Sequence, residues 1–121
     1  MSPHILIVED NRINQKVLQL MLARLGYDST VVESGEQALQ VTAANTFQLV
    51  LMDIGLPGID GIETTAGIRA SLDRDVLPIV ALTGHELEHE NYESLGFNAW
   101  LIKPVSLDVL SRTLASFTTA R

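Results

Sequence analysis

The chain has no cysteine. That excludes a disulfide framework and a thiolate metal site, and it fits a reducing, cytoplasmic setting. It has no apolar run near the ~20 residues needed to cross a bilayer. Its opening residues, MSPHILIVEDN, carry neither the basic flank nor the long apolar region of a secretory signal. Basic residues are scarce: 8 Lys and Arg stand against 15 Asp and Glu, giving a net charge of −7. Binding to a nucleic-acid backbone runs on clustered Lys and Arg, so no direct nucleic-acid contact is expected, and no direct membrane contact either. Repeats, low-complexity tracts and linkers are also missing. What remains is a chain of 121 residues, 46% apolar, long enough for one core and too short for two. The expectation is one acidic, soluble domain over 1–121.

Short β-rich runs alternate with longer helical patterns. HILIV (4–8) reads as a buried strand, followed by a helix in RINQKVLQLMLARLG, with Ile13, Val17, Leu20 and Met21 at helical spacing and Gly26 as a stop. DSTVVE makes a second strand, and Ser34-Gly35-Glu36 opens a helix carrying Ala38, Leu39 and Val41. LVLM (49–52) is the third strand, and a helix from about Gly61 to Ser71 comes next. PIVAL (78–82) is the fourth strand, and the polar stretch from about Glu86 to Leu95 reads as a short, weakly packed helix. AWLI (99–102) is the fifth strand; Leu107, Leu110, Leu114 and Phe117 mark the last helix, capped by Ser106. Strict alternation of β and α predicts a parallel sheet with helices on both faces, a doubly wound α/β domain. The continuous rather than alternating apolar strands agree with burial on both sides.

Such sheets place their sites beyond the carboxyl ends of the strands. There the sequence carries Glu9-Asp10 after the first strand, Asp53 after the third, Thr83-Gly84 after the fourth and Lys103-Pro104 after the fifth. Each has a bland explanation alone. Asp10 or Asn11 can cap the first helix, Asp53 can open an Asx turn, and Thr83 and Lys103 can be ordinary surface residues. All of these would have to hold together at one sheet edge. Three carboxylates so close repel one another, and a hard divalent cation resolves the repulsion: magnesium takes oxygen ligands and usually keeps waters. Asp53 would then be an ionised oxygen nucleophile beside a metal, needing no general base to attack phosphorus. Phosphoryl transfer asks mainly for position and charge neutralisation, which the cation, Lys103 and the donors near Thr83 supply.

The segments VEDN, LMDIGLPGIDG, ALTG and IKP, in this order along essentially the whole chain, resemble the receiver domain of two-component response regulators. The wording VEDNRINQKV resembles receivers of hybrid sensor histidine kinases in particular, so the chain is expected to be a free-standing receiver or one cut from a larger protein. The resemblance implies a flavodoxin-like or CheY-like sheet of five strands in the order 2-1-3-4-5 with five helices. It implies that Asp53 is the phosphoacceptor, and that Glu9, Asp10, Asp53 and the backbone carbonyl of Gly55 hold Mg2+ or Mn2+. Thr83 matches the switch hydroxyl, with Gly84 beside it, and Lys103 the lysine that bonds the phosphoryl oxygens. Pro104 follows a bond that is typically cis in the family. Trp100 departs from the pattern, since the switch aromatic three residues before the lysine is usually Tyr or Phe. The implied partner is a histidine kinase or a histidine phosphotransfer domain, and the implied state a monomer or a weak phosphorylation-dependent dimer. The domain is a signalling acceptor rather than an enzyme with a turnover substrate. Gly55 and His85, two residues beyond Asp53 and Thr83, flank the path of the water that would hydrolyse the phosphoryl group; His85 can hydrogen-bond through either ring nitrogen.

Other readings are weaker. HELEH (85–89) fits the H-E-x-x-H pattern, in which His85 and His89 would bind zinc and Glu86 act as base; the third histidine of the chain, His4, opens the first strand. The haloacid-dehalogenase-like phosphatases need a second acid where Gly55 stands. A flavodoxin-type cofactor site needs a hydroxyl- and glycine-rich loop after the first strand, where Glu9-Asp10 would repel a flavin phosphate. A degenerate receiver acting only as an interaction module would lack acceptor-site residues, yet here they are all present.

Overall fold

HILIV and LVLM carry apolar side chains on both faces at once, so a sheet built from them needs helices on both sides. In the computed structural model, which describes residues 4–84 and 92–118, five strands satisfy that need: β1 (His4–Val8), β2 (Asp28–Val32), β3 (Leu49–Asp53), β4 (Ile79–Thr83) and β5 (Ala99–Ile102). Every pairing is parallel and the order is β2-β1-β3-β4-β5. The helices are α1 (Arg12–Arg24), α2 (Gly35–Ala44), α3 (Gly61–Arg69) and α4 (Leu107–Thr118). Four helices are thus described where five were expected. The short helix expected over Glu86–Leu95 falls mainly on residues 85–91, which lie outside the described residues. No helix among the described residues is long and apolar enough to cross a membrane.

Alternation along each strand sorts the core into two layers. Leu6, Val8, Val50, Met52, Ile79 and Ala81 face α2 and α3, packing with Ala38, Ile68 and Phe97. Ile5, Ile7, Leu49, Leu51, Val80 and Leu82 face α1 and α4, packing with Leu18, Leu22, Leu110 and Leu114. Helix starts are fixed chemically: Asn11, Ser34 and Asp60 accept backbone N–H groups of α1, α2 and α3, and Asp60 forms a reciprocal capping box with Glu63. Ser106 Oγ accepts the N–H of Val109 at 3.1 Å, as expected of the cap of α4.

The structure corrects several details of the sequence reading. β3 runs on through Asp53 and β4 through Thr83, so both polar residues are strand residues rather than loop residues. β4 starts after Pro78, which has no N–H to add to the ladder, although its carbonyl still accepts Val50 N–H at 2.9 Å. The helical spacing of Ile13, Val17 and Leu20 marks the outward side of α1: they are 73%, 48% and 68% exposed, while the buried seam is Leu18 and Leu22.

Two glycines separate backbone crowding from side-chain crowding. A Cβ on Gly61 would sit 2.4 Å from the Asp53 carbonyl oxygen and 2.8 Å from Ile54 Cα, both backbone atoms at the turn that leaves β3. A Cβ on Gly67 would meet only the tip of Leu39, at 2.8 Å. Gly61→Ala is expected to lower unfolding stability in urea by about 3 kcal/mol, the upper end of ordinary overpacking costs. Gly67→Ala should stay within about 1 kcal/mol of the parent, since helix propensity favours alanine in mid-helix.

Candidate functional site

Because every strand runs the same way, all five carboxyl ends lie at one edge, and strand order then selects the neighbours. β1 and β3 are adjacent, which brings Glu9 beside Asp53. Glu9 follows β1 directly and is 1% exposed. Its N–H continues the ladder to Val32 O at 3.1 Å, and its Oε2 accepts Asn11 N–H at 3.1 Å. Asp53 closes β3 at 5% exposure, and its Oδ1 accepts Gly55 N–H at 3.1 Å. The Asx-turn role and the strand-end placement therefore coexist in one side chain. Asp10 is exposed, and the helix cap is supplied by Asn11 instead. Carboxylate oxygens of Glu9, Asp10 and Asp53 all lie within 4.8 Å of one another.

Lys103 reaches this cluster from beyond β5. Its N–H donates to Thr83 O at 2.8 Å, which ties the end of β5 to the end of β4. Its Nζ donates to Asp53 Oδ1 at 2.9 Å and approaches Glu9 Oε1 at 3.4 Å. One ammonium thus faces two buried acids. Burial opposes its charge, yet the hydrogen bond and charge of Asp53, aided by Glu9, outweigh that and hold Lys103 above the usual lysine range. Glu9 is raised as well, which for an acid favours the neutral form. Burial raises its proton affinity, Asp53 adds to this, and the Asn11 N–H and Lys103 only partly offset it. Oδ1 of Asp53 carries both hydrogen bonds, leaving Oδ2 without a donor among the described residues.

The remaining predicted residues are placed as follows. Thr83 is buried at the end of β4 and Gly84 is exposed beside it. Trp100 pairs with Ala81 in the sheet register, which puts its side chain on the same face as Thr83, half-buried against the α2–α3 layer. The Lys103–Pro104 peptide is cis. Gly55 is exposed; among the described residues, Asp53 Oδ1 is the atom within 4 Å of where its Cβ would be, at 3.9 Å. His85, Glu86 and His89 lie outside the described residues. His4, the remaining histidine, sits at the opposite end of the sheet, where its Nε2 and Thr30 Oγ1 are 2.6 Å apart. Sequence reading missed Gln15. Its Nε2 donates to the Glu9 carbonyl at 2.7 Å, and its only trace in the sequence is its place one turn into α1.

A groove of about 280 Å³ opens beside the acids, lined by Glu9, Val17, Met21, Lys103 and Pro104 among others. The exposed side chains of Ile13, Val17 and Leu20 lie on the helix that forms its wall.

The chain matches the family described as the response regulator receiver domain over residues 5–115. It is 36% identical to the sensor protein GacS of Pseudomonas syringae over 97% of its own length, and 38% identical to the sensor histidine kinase RcsC of Salmonella typhimurium over 93%. It spans only 14% and 12% of those two proteins. Among solved structures it resembles the receiver domain of a sensor histidine kinase from Pseudomonas aeruginosa, which has a magnesium ion coordinated in its active site cleft. The TM-score is 0.89 at 39% identity, covering 99% of this chain and 100% of that one. A response regulator receiver domain from Methylobacillus flagellatus gives a TM-score of 0.87 at 28% identity, over 97% and 99% of the two chains.

Two substitutions test the charge balance. Lys103→Ala strands Glu9 and Asp53 without a counter-ion. It is expected to cost on the order of 2 kcal/mol in EDTA, below the ~3–5 kcal/mol of a wholly buried pair because the lysine is partly exposed. Added Mg2+ should restore much of that loss, read by urea unfolding with and without the ion. Glu9→Gln acts on the opposite sign. Folded Glu9 binds its proton more tightly than unfolded Glu9, so its burial favours the fold at low pH, and that advantage falls as pH rises through the raised value. Glu9→Gln should therefore raise metal-free stability at pH 7 and remove the loss of stability that Glu9 causes as pH rises from the ordinary carboxylate range through its raised value, measured by unfolding across pH.

Proposed function

Because the chain belongs to the response regulator receiver domain family, we propose that it takes a phosphoryl group from a phosphohistidine onto Asp53, with Mg2+ or Mn2+ held at the same edge, and passes the event on as a conformational signal. The observation that carries this reading is the triad of acids within 4.8 Å with Lys103 Nζ 2.9 Å from Asp53. The residues fit a hard cation: the donors are all oxygen, and two buried acids face a single ammonium, so positive charge is in deficit. Glu9, Asp10, Asp53 and the Gly55 carbonyl would hold the ion. Bound there, it would neutralise charge on the transferring phosphoryl oxygens.

This chain's own residues do the rest. Asp53 is fixed through Oδ1 by Lys103 and Gly55, which leaves Oδ2 to form the bond to phosphorus. As that bond forms, the phosphorus–nitrogen bond of the donor breaks and its electron pair stays on the imidazole, so no proton leaves Asp53. Lys103 would then turn to a phosphoryl oxygen, and Thr83 and the Gly84 N–H, at the end of the neighbouring strand, would supply further donors. The acceptor turns over no free substrate, because Gly55 stands where the related phosphatases place a second acid. Its setting is the cytoplasm, as part of a two-component phosphorelay. No part of the reading calls for direct nucleic-acid or membrane contact.

The donor's docking face follows from the same edge. α1 carries Arg12, Lys16 and Arg24 and no acid, in a chain of net charge −7. Its outward side adds Ile13, Val17 and Leu20 next to the groove that ends at Lys103. A helical histidine phosphotransfer domain with an apolar patch and an acidic rim around its phosphohistidine fits this surface.

Supplied with Mg2+ and acetyl phosphate, the protein should acquire one acid-labile acyl phosphate, also cleaved by base and hydroxylamine, and Asp53→Asn should abolish it by intact mass. Persistence of full labelling in that variant would sink the assignment. Val17→Asp should slow transfer from a phosphohistidine domain at least tenfold, about 1.4 kcal/mol, and leave acetyl phosphate labelling unchanged, since the small donor needs no docking face. Gly55→Arg fills the open approach to Asp53 and should lengthen the phosphoryl half-life several-fold, followed by loss of the phosphorylated mass.

A further inference from the structure

We propose that Gln15 is a positioning residue for the metal-binding turn, acting through Asp10. This rests on reading the acidic cluster as the cation site and adds to it a residue that no ligand-based motif includes. Glu9 needs little extra restraint on its side chain, since its carboxylate is gripped by Asn11 N–H at 3.1 Å and faced by Lys103 at 3.4 Å. Asp10 is different. It is exposed, caps nothing, and its carboxylate forms no hydrogen bond to any described residue. Its aim is therefore set by the backbone that carries it.

That backbone is the Glu9–Asp10 peptide, whose carbonyl accepts Gln15 Nε2 at 2.7 Å. The bond crosses from the second turn of α1 back to the end of β1, and Gln15 itself is half-buried. One end of the turn is fixed by Glu9 N–H on Val32 O at 3.1 Å and the far end by the Asn11 cap, which accepts Asn14 N–H at 3.0 Å. Between these anchors Gln15 is the one described residue whose side chain bonds that peptide. Rotating its plane swings the Asp10 Cα–Cβ bond, and with it the one cluster carboxylate that is open to solvent. Gln15 touches neither metal nor phosphoryl group, so its effect belongs in cation affinity and not in the chemical step.

The test uses Gln15→Met, which keeps length and packing but cannot donate, beside Gln15→Ala, which loses both. Backbone amide shifts are titrated with Mg2+ on each protein, and acetyl phosphate labelling rates are measured across the same Mg2+ range. Both variants should bind Mg2+ about tenfold more weakly, the low end of what lost outer-shell partners cost. At saturating Mg2+ the maximal labelling rate should return to the parent value, with urea stability in EDTA close to the parent's. Parent-like affinity in Gln15→Met overturns the proposal, whether or not Gln15→Ala is weakened, because packing alone would then suffice. A maximal rate that stays depressed at saturating Mg2+ also overturns it, since the residue would then act on the chemistry. A parent protein that binds no Mg2+ overturns the site reading itself, which separates that failure from one confined to Gln15.

Discussion

One ammonium against two buried carboxylates is the constraint on which the architecture turns. Glu9 and Asp53 are nearly sealed from water, and Lys103 Nζ is within 3.4 Å of one and 2.9 Å of the other. Buried like charges at such range are costly, and a lone cation does not cancel both. The fold makes the arrangement tenable by surrounding it with fixed dipoles. Asn11 N–H reaches Glu9 and Gly55 N–H reaches Asp53, each from a turn that immediately follows its strand. Those turns exist because a parallel sheet must end every strand at the same edge and send the chain away into a helix. The polar cluster and the strand–turn–helix repeat are thus one design seen from two directions.

The two-layer core explains why that edge is stiff enough to hold such charges. Alternate residues of β1 and β3 are committed to opposite layers, Leu6 and Val50 to one and Ile5 and Leu49 to the other. A register slip of one residue would exchange the layers and also carry Asp53 away from Glu9. Packing that is indifferent to chemistry therefore fixes chemistry. Gly61 shows the same coupling at close range, with the start of α3 lying so close to the Asp53 carbonyl that a Cβ there would sit 2.4 Å from it.

Most of this was legible in the sequence because it rests on local signals. Continuous apolar runs specify doubly covered strands, Asn11, Ser34 and Ser106 start helices, and the strand-end acids and lysine are displayed in order. What was not legible depends on direction rather than on type. Ile13, Val17 and Leu20 have the spacing of a buried stripe, but the sheet takes the neighbouring stripe of Leu18 and Leu22, and sequence spacing alone does not say which of two apolar faces turns inward. Asp53 and Thr83 read as loop residues since charge and hydroxyl groups are poor strand formers, yet ladder bonds to β4 and β5 extend through them. Gln15 carries no signal of its own, for a surface glutamine on a helix is ordinary until the turn before it folds back within reach.

The same bonds bear on how a change at the acids would travel. In the proposed function, phosphorylation adds about −1.5 to −2 charge at Asp53, and Lys103 must redistribute its donors among more oxygens. It does not move alone, because its own N–H is bonded to Thr83 O at 2.8 Å, so the ends of β4 and β5 shift together. The connection between those strands is pinned at its other end. Arg69 donates to the carbonyls of Gly96, Leu72 and Leu77 and to Asn98 Oδ1, and Asn98 in turn accepts Ile79 N–H at 3.0 Å. Among the described residues these arginine bonds go to neutral acceptors, so a new charge at Asp53 offers them no competing partner nearby. Displacement that begins at Thr83 and Lys103 is then confined between a movable upper end and a fixed lower one. Trp100, paired with Ala81 and so on the same sheet face as Thr83, is the bulky side chain beside the movable end.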